Sequence, residues 1–78
     1  MPTVLRLGPY RFFFYSLENG EPIHIHIECD EKTAKFWLDP VELAHSQGFR
    51  ASELGRLRVL VVAHRVLFEK AWYADFGR

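Results

Sequence analysis

The sequence has few of the features that mark several classes of protein. Cys29 is its single cysteine, so an internal disulfide is excluded and a reducing cytoplasm is the expected location. Its 10 Lys and Arg residues balance its 10 Asp and Glu residues, which argues against a domain held on nucleic acid by bulk charge. No apolar run approaches the roughly 20 residues of a membrane-spanning helix, and the first residues lack the pattern of a secretory signal peptide. We therefore expect a cytoplasmic protein without membrane association.

Motifs of the common enzyme classes are also missing, while aromatic residues are plentiful. There is no glycine-rich phosphate loop, no CxxC pair and no nucleophile elbow. In contrast, 2 Trp, 3 Tyr and 7 Phe stand among 78 residues. We expect a chain of this length to form one domain, residues 1–78, which without disulfides must pack efficiently, bind a metal or oligomerise. So many rings in so small a domain indicate an interface with another protein as well as a core.

The first half of the chain has the pattern of β-strands. Strands separated by turn-forming sequences are predicted over residues 3–7, 10–16, 23–29 and 34–38. Consecutive strands joined by short turns favour an antiparallel meander. In the third strand, isoleucines alternate with His24, His26 and Glu28, so the isoleucine face is expected to be the core and the polar side chains face the other way.

The second half of the chain has the pattern of helices. Asp39 and Pro40 suit the N-cap and the first helical position, and Glu42 is placed as a capping-box partner. Helices are therefore predicted over residues 40–46 and 51–73. The whole sequence predicts an α+β fold, in which an antiparallel meander of three to four strands is followed by a short and a long helix packed on one face.

The long helix has two apolar faces. One broad face is expected to cover the sheet, and it is formed by Leu54, Leu57, Leu60, Val61, His64, Leu67, Phe68, Ala71 and Trp72. A second, narrower face is formed by Val59, Val62, Val66 and Tyr73. Charged residues separate the two faces, and a chain this short offers no obvious internal partner for the second. We call these four residues the valine seam, and we predict that it binds a second copy of the chain or a companion protein.

The third strand carries the candidate catalytic residues His24, His26 and Glu28. The two imidazoles lie on one strand face, about 6.5–7 Å apart along the strand. Histidines so placed can bind a divalent metal through His24 and His26, or carry out acid–base chemistry near neutral pH. The simpler interpretation is a solvated strand face on which polar residues alternate with isoleucines. The sequence indicates no other cofactor.

The face of the sheet that carries the histidines is also rich in rings. Phe13, Tyr15 and Trp37 are expected on it. Rings on an open sheet are the platform on which some domains stack single-stranded RNA, but Arg11 and Lys35 supply little positive charge for phosphate contacts. We prefer a face covered by a partner subunit or a helix, and expect nucleic acid to bind only through a complex with a partner.

Five segments together resemble a family of small bacterial proteins, the domain of unknown function 4160. They are Met1-Pro2-Thr3-Val4, Gly8-Pro9-Tyr10-Arg11-Phe12-Phe13-Phe14-Tyr15-Ser16, Glu21-Pro22-Ile23-His24-Ile25-His26-Ile27, Ala34-Lys35-Phe36-Trp37-Leu38-Asp39-Pro40 and Gly48-Phe49. The chain departs from the family pattern at Ile23, where a second proline is usual, and at Arg50, where a small polar residue is usual. The resemblance implies a gene pair of toxin–antitoxin type, shared with another small family of unknown function, numbered 2442. It implies no activity.

Three functions are compatible with the sequence. The preferred one is a protein–protein interaction module of a toxin–antitoxin-like pair, which binds itself or a companion protein through the valine seam and through Phe13, Tyr15 and Trp37. The second is a metal-dependent or histidine-based nuclease that uses His24 and His26. The third is a transcriptional regulator that acts in a complex with a partner.

Overall fold

The computed structural model describes residues 3–15 and 20–77. Within these residues, five β-strands precede two α-helices. They are β1 (Thr3–Leu7), β2 (Tyr10–Phe13), β3 (His24–Cys29), β4 (Lys32–Leu38), β5 (Val41–Gln47), α1 (Ala51–Ala63) and α2 (Arg65–Phe76). The predicted α+β class and antiparallel meander are confirmed, with one strand more than the upper number expected.

The sheet follows the order of the chain, β1-β2-β3-β4-β5, and each strand pairs antiparallel with the next. Along β3 the predicted alternation holds, because Ile25 and Ile27 are fully buried in the core cluster. Ile27 pairs with Phe12 of β2 on one side and with Ala34 of β4 on the other. Apolar side chains of three neighbouring strands therefore form one continuous core face.

Both helices contribute buried side chains to that core. Leu57 and Val61 of α1 are completely buried. From α2, the ring of Phe68 stacks on that of Phe12, with their centroids 5.3 Å apart, and Trp72 meets Phe14 edge to face at 5.4 Å. None of the helices in the described ranges is long and apolar enough to cross a bilayer.

The prediction of a short helix over residues 40–46 is wrong, because Val41–Gln47 forms strand β5. Asp39 and Pro40 form the turn between β4 and β5, with a cis peptide bond between them, and Leu38 pairs with Val41 directly across it. The Asp-Pro sequence suits a tight turn as well as it suits a helix start. Pairing with β4 and burial of Val41 in the core decided between the two.

The single helix predicted over residues 51–73 is divided at His64, between α1 and α2. His64 has φ −110° and ψ 16°, outside the helical range. Its ring Nδ1 donates to the carbonyl of Leu60 at 2.9 Å, the same oxygen that accepts its backbone N–H at 3.0 Å. A side chain that bonds back to the preceding turn bends a helix. The valine seam therefore lies on two helices.

Smaller differences concern the ends of the strands. The strand predicted over 10–16 ends at Phe13, and residue 16 lies outside the described residues. The strand predicted over 23–29 begins one residue later, at His24, and that predicted over 34–38 begins at Lys32.

Gly48 and Gly55 give a matched pair of tests of backbone conformation. Gly48 has φ +91°, and a Cβ there would lie 2.8 Å from Cγ of Lys32. Gly48→Ala is therefore expected to lower the free energy of unfolding by about 1–3 kcal/mol. Gly55 lies inside α1 with open space around its Cα, so Gly55→Ala should raise it by about 0.5–1 kcal/mol. Urea denaturation measures both, and equal effects of the two substitutions would contradict the prediction.

Candidate functional site

His24 is completely buried at the start of β3. Its Nδ1 lies 2.8 Å from the carbonyl oxygen of Pro22, and because a carbonyl only accepts, this nitrogen carries the proton. The imidazole is also in contact with two tryptophan rings, with centroid distances of 4.9 Å to Trp72 and 5.7 Å to Trp37. His24 thus joins the end of the sheet to helix α2.

His26 lies beside His24 on the same face of β3, and their ring centroids are 5.0 Å apart. It is half-buried. Phe13 stacks on its ring at 5.5 Å, and Tyr15 meets it edge to face at 4.6 Å. The prediction that the two histidines share one face is confirmed by these contacts, and both rings are held in a cluster of aromatic side chains.

Glu28 is the third predicted catalytic residue, and its carboxylate is paired with Arg11. Arg11 Nη1 lies 2.8 Å from Glu28 Oε1, while its guanidinium carbon lies 4.3 Å above the ring of Phe13. Arg11 Nε also donates to Thr3 Oγ1 at 2.7 Å. The carboxylate of Glu28 therefore links β3 to β2 through Arg11, which also bonds to β1.

His24 and Glu28 on the histidine face are already bonded within the chain. Across residues 3–15 and 20–77, no group of three or more His, Cys, Asp and Glu side chains could hold a metal ion. His24 is buried and bonded, and Glu28 forms an ion pair. This geometry favours a structural role for His24, His26 and Glu28, and the nuclease hypothesis stays a prediction that the structure does not strengthen.

The three rings predicted as interface residues differ in exposure. Phe13 is only 2% exposed, which contradicts its placement on a surface open to a partner; it is packed against Arg11, Tyr15 and His26. Tyr15 is exposed. Trp37 is half-buried, and the ammonium of Lys35 lies 4.5 Å above its ring. The chain's own side chains therefore cover part of the sheet face that we expected a partner subunit or a helix to cover.

The valine seam is exposed along its whole length. Val59 and Val66 are 65% and 62% exposed, and Val62 and Tyr73 are 51% and 53% exposed. On α1 the seam is flanked by exposed residues that are small and uncharged, namely Ala51, Ser52, Gly55 and Ala63. In the arc between Arg56 and Arg58, the outer surface of α1 is thus apolar or small, which is unusual for a helix surface that meets only water.

A groove opens beside the seam, between α1 and the start of β2. It has a volume of about 320 Å³ and is lined by Tyr10, Arg56, Val59 and Leu60. The sequence did not indicate this groove, because Tyr10 and Arg56 are 46 positions apart and only folding brings them together. The sole signal was the presence of Val59 in the predicted seam.

One wall of the groove is fixed by a polar network behind it. The hydroxyl of Tyr10 donates to Glu53 Oε2 at 2.9 Å, and Lys32 Nζ lies 3.3 Å from Glu53 Oε1. The hydrogen bond from Tyr10 lowers the pKa of Glu53 below its ordinary value, more than burial raises it, and Lys32 adds to the lowering. The same bond, followed by burial, raises the pKa of Tyr10.

The bond between Tyr10 and Glu53 should give stability a measurable pH dependence. Because folding lowers the pKa of Glu53, its contribution is complete above the ordinary value of 4.5 and is lost as the pH falls through the folded pKa. Because folding raises the pKa of Tyr10, its contribution is complete below the ordinary value of 10.0 and is lost as the pH rises through the folded pKa.

Tyr10→Phe tests this linkage. Urea denaturation over a pH series is expected to show the largest difference in stability between the chain and the variant between pH 4.5 and pH 10.0, with the difference shrinking at both ends. Tyr73→Phe is the control, because that hydroxyl lies on an exposed position. A difference that does not change with pH would contradict the linkage.

Comparison with known families gives one match. A model of the family described as Domain of unknown function (DUF4160) matches residues 10–73. This range includes β2 to β5, α1 and most of α2. It also includes His24, His26, the groove and the valine seam. No curated protein and no solved structure matches the chain.

Proposed function

We propose that this chain, which belongs to the family Domain of unknown function (DUF4160), is a protein-interaction module that binds through the valine seam. The observation that carries the proposal is the exposure of the seam, whose four side chains are between 51% and 65% exposed. A partner that covered them would remove apolar surface from water, which is the main driving force of association between proteins.

The sheet face supports the proposal by contrast. There Phe13 is packed at 2% exposed and Trp37 lies beneath the ammonium of Lys35, although Tyr15 is exposed. On the helices, Val59, Val62 and Val66 have no such cover among the described residues. Most of the exposed large apolar side chains among the described residues therefore lie on the helices.

The partner we propose is a companion small protein, in a bacterial gene pair of toxin–antitoxin type that acts in the cytoplasm. The resemblance of the histidine and aromatic segments to the family supports this pairing, and the exposed seam fits it. In this proposal any nucleic acid is bound by the complex, and a role in transcriptional regulation belongs to the complex as well.

Val62→Asp tests the proposal, with Leu43→Asp as its matched control. Both positions are exposed aliphatic residues, but Leu43 lies on β5 and outside the seam. Co-expression with the product of a neighbouring gene, followed by sedimentation velocity, should show a complex. An unpaired carboxylate in the contact should cost about 2 kcal/mol or more, a roughly 30-fold rise in Kd, in Val62→Asp alone.

Two results would contradict the proposal. One is a complex that tolerates Val62→Asp as well as it tolerates Leu43→Asp, because binding would then use another surface. The other is a chain that stays monomeric with every neighbouring gene product. A homodimer disrupted by Val62→Asp would keep the seam as the binding surface and change the partner to a second copy of the chain.

A further inference from the structure

We infer that the partner segment seated on α1 is an amphipathic helix whose apolar stripe is flanked by acidic side chains, with one large apolar side chain inserted into the groove. This inference rests on the proposed function and adds the chemistry of the partner. It follows from three neighbouring features of α1. They are a row of short side chains on its outer surface, the groove beside Val59 and the basic residues on either side of the row.

The outer surface of α1 has the relief that a second helix needs. Gly55, Val59 and Val62 follow one another at intervals of four and three residues, so they form one row along the helix. Ser52 and Ala63 extend this row at its two ends, and all five are exposed or bear no side chain. Short side chains in such a row let the backbone of another helix approach closely.

The edges of that row are basic. At 100° per residue, Arg56 and Arg58 lie about 160° apart around α1, with Val59 and Val62 in the arc between them. In the part of the chain that the structure describes, neither arginine forms an ion pair. The nearby Glu53 is already bonded by Tyr10 and Lys32.

Arg58 makes one long contact, from Nη2 to the carbonyl of Val41 at 3.4 Å. On α2, Lys70 is also exposed and without an ion pair among the residues described, whereas Arg65 is paired with Glu69 at 3.3 Å. Glu53 and Glu69 are thus engaged within the chain, whereas Arg56, Arg58 and Lys70 are available to a partner. Charge complementarity therefore requires acidic groups on the partner helix.

The same charges argue against a second copy of the chain as the occupant. In a twofold-symmetric dimer the same patch meets itself, so the arginines that border the row on one protomer would meet those of the other. Like charges placed together in an interface oppose association. A partner with acidic edges turns both arginines into favourable contacts.

The groove sets the third requirement. The groove is lined by Tyr10, Arg56, Val59 and Leu60. The hydroxyl of Tyr10 and the guanidinium of Arg56 are the polar groups of these side chains. A large apolar side chain that fills such a pocket next to the row is the usual form of a binding hot spot. An acidic residue one turn away on the same partner helix would reach Arg56.

Two synthetic peptides test the inference directly. Both are helix-forming, about 18 residues long, and carry the same stripe of Leu with one Phe; one has Glu at the flanking positions and the other has Lys. Fluorescence anisotropy with the full chain should show the Glu peptide binding at least about tenfold more tightly at low salt, with the difference falling as salt screens the charges.

Variants of the chain assign the effect to residues. The double variant Arg56→Glu and Arg58→Glu should reverse the preference and favour the Lys peptide. Each single variant, Arg56→Glu or Arg58→Glu, has Arg6→Glu as its control for net charge, because Arg6 is exposed on β1 and its substitution changes the charge by the same amount; the preference should persist in Arg6→Glu. Val62→Asp should weaken both peptides. Circular dichroism establishes that each variant is folded before its binding is measured.

The possible failures separate the inference from the proposed function. Equal binding of the two peptides, or binding that ignores Val62→Asp, overturns the acidic helix. So does failure of both peptides to bind. In each case the proposed function stands if the complex with the companion protein is lost in Val62→Asp and kept in Leu43→Asp. If the two variants do not differ in this way, both the proposed function and the inference are wrong.

Discussion

Phe68→Ala is expected to lower the free energy of unfolding by about 3–5 kcal/mol. The ring is completely buried and stacks on Phe12 at 5.3 Å, so truncation removes the stacking contact between α2 and β2. A domain of this size has a total stability of about 4–12 kcal/mol. Because the loss is a large part of that total, we expect urea denaturation at neutral pH to show that the variant unfolds at a much lower urea concentration than the unsubstituted chain.

Leu67→Ala is the matched control for Phe68→Ala. Leu67 is the preceding residue of the same helix and is 44% exposed, so its truncation should change stability by less than about 1 kcal/mol. The two variants lose apolar volume from adjacent positions, and only burial differs strongly between them. Similar losses of stability would mean that α2 does not pack on the sheet as described.

The contrast between Phe68 and Leu67 also shows how well helical periodicity predicts which side chains are buried. Periodicity placed Leu57, Val61 and Phe68 on the core side, and all three are completely buried. It placed Leu67 there too, because an uninterrupted helix was assumed. The backbone leaves helical geometry at His64, whose ring bonds to a backbone carbonyl, and spacing alone does not reveal this break.

Strand β5 shows a different limit of sequence analysis. Its residues include good helix formers, and Asp39-Pro40 resembles a helix start. What makes it a strand is the edge of β4, which offers a row of unpaired backbone groups until β5 covers it. That information lies in another part of the chain, so a local pattern of caps and propensities cannot supply it.

The candidate surfaces divide in the same way. The valine seam was predictable, because a second apolar face on a helix of so short a chain can be counted from spacing. The groove was not, because Tyr10 meets Arg56 and Val59 only after β2 and α1 have packed. The histidines of β3 were correctly placed on one face, but the contact of the buried His24 ring with Trp72 comes from α2, far away in sequence.

His24→Ala is expected to lower the free energy of unfolding by about 2–4 kcal/mol. The imidazole is completely buried, donates to the carbonyl of Pro22 at 2.8 Å and lies 4.9 Å from the ring of Trp72. Alanine would leave a cavity at the junction of β3 and α2 and remove the donor from a backbone oxygen. Urea denaturation measures the loss, and tryptophan fluorescence reports the change around Trp72.

Two further substitutions separate the hydrogen bond of His24 from its packing. His24→Asn keeps a donor near the position of Nδ1 and loses most of the ring, whereas His24→Phe keeps the ring and loses the donor. If packing dominates, Phe should recover more stability than Asn, and if the hydrogen bond dominates, the order should reverse. A catalytic histidine gives another pattern, because its replacement abolishes an activity and leaves stability nearly unchanged. An unchanged free energy of unfolding in His24→Ala would therefore contradict the structural role and return His24 to the list of candidate catalytic residues.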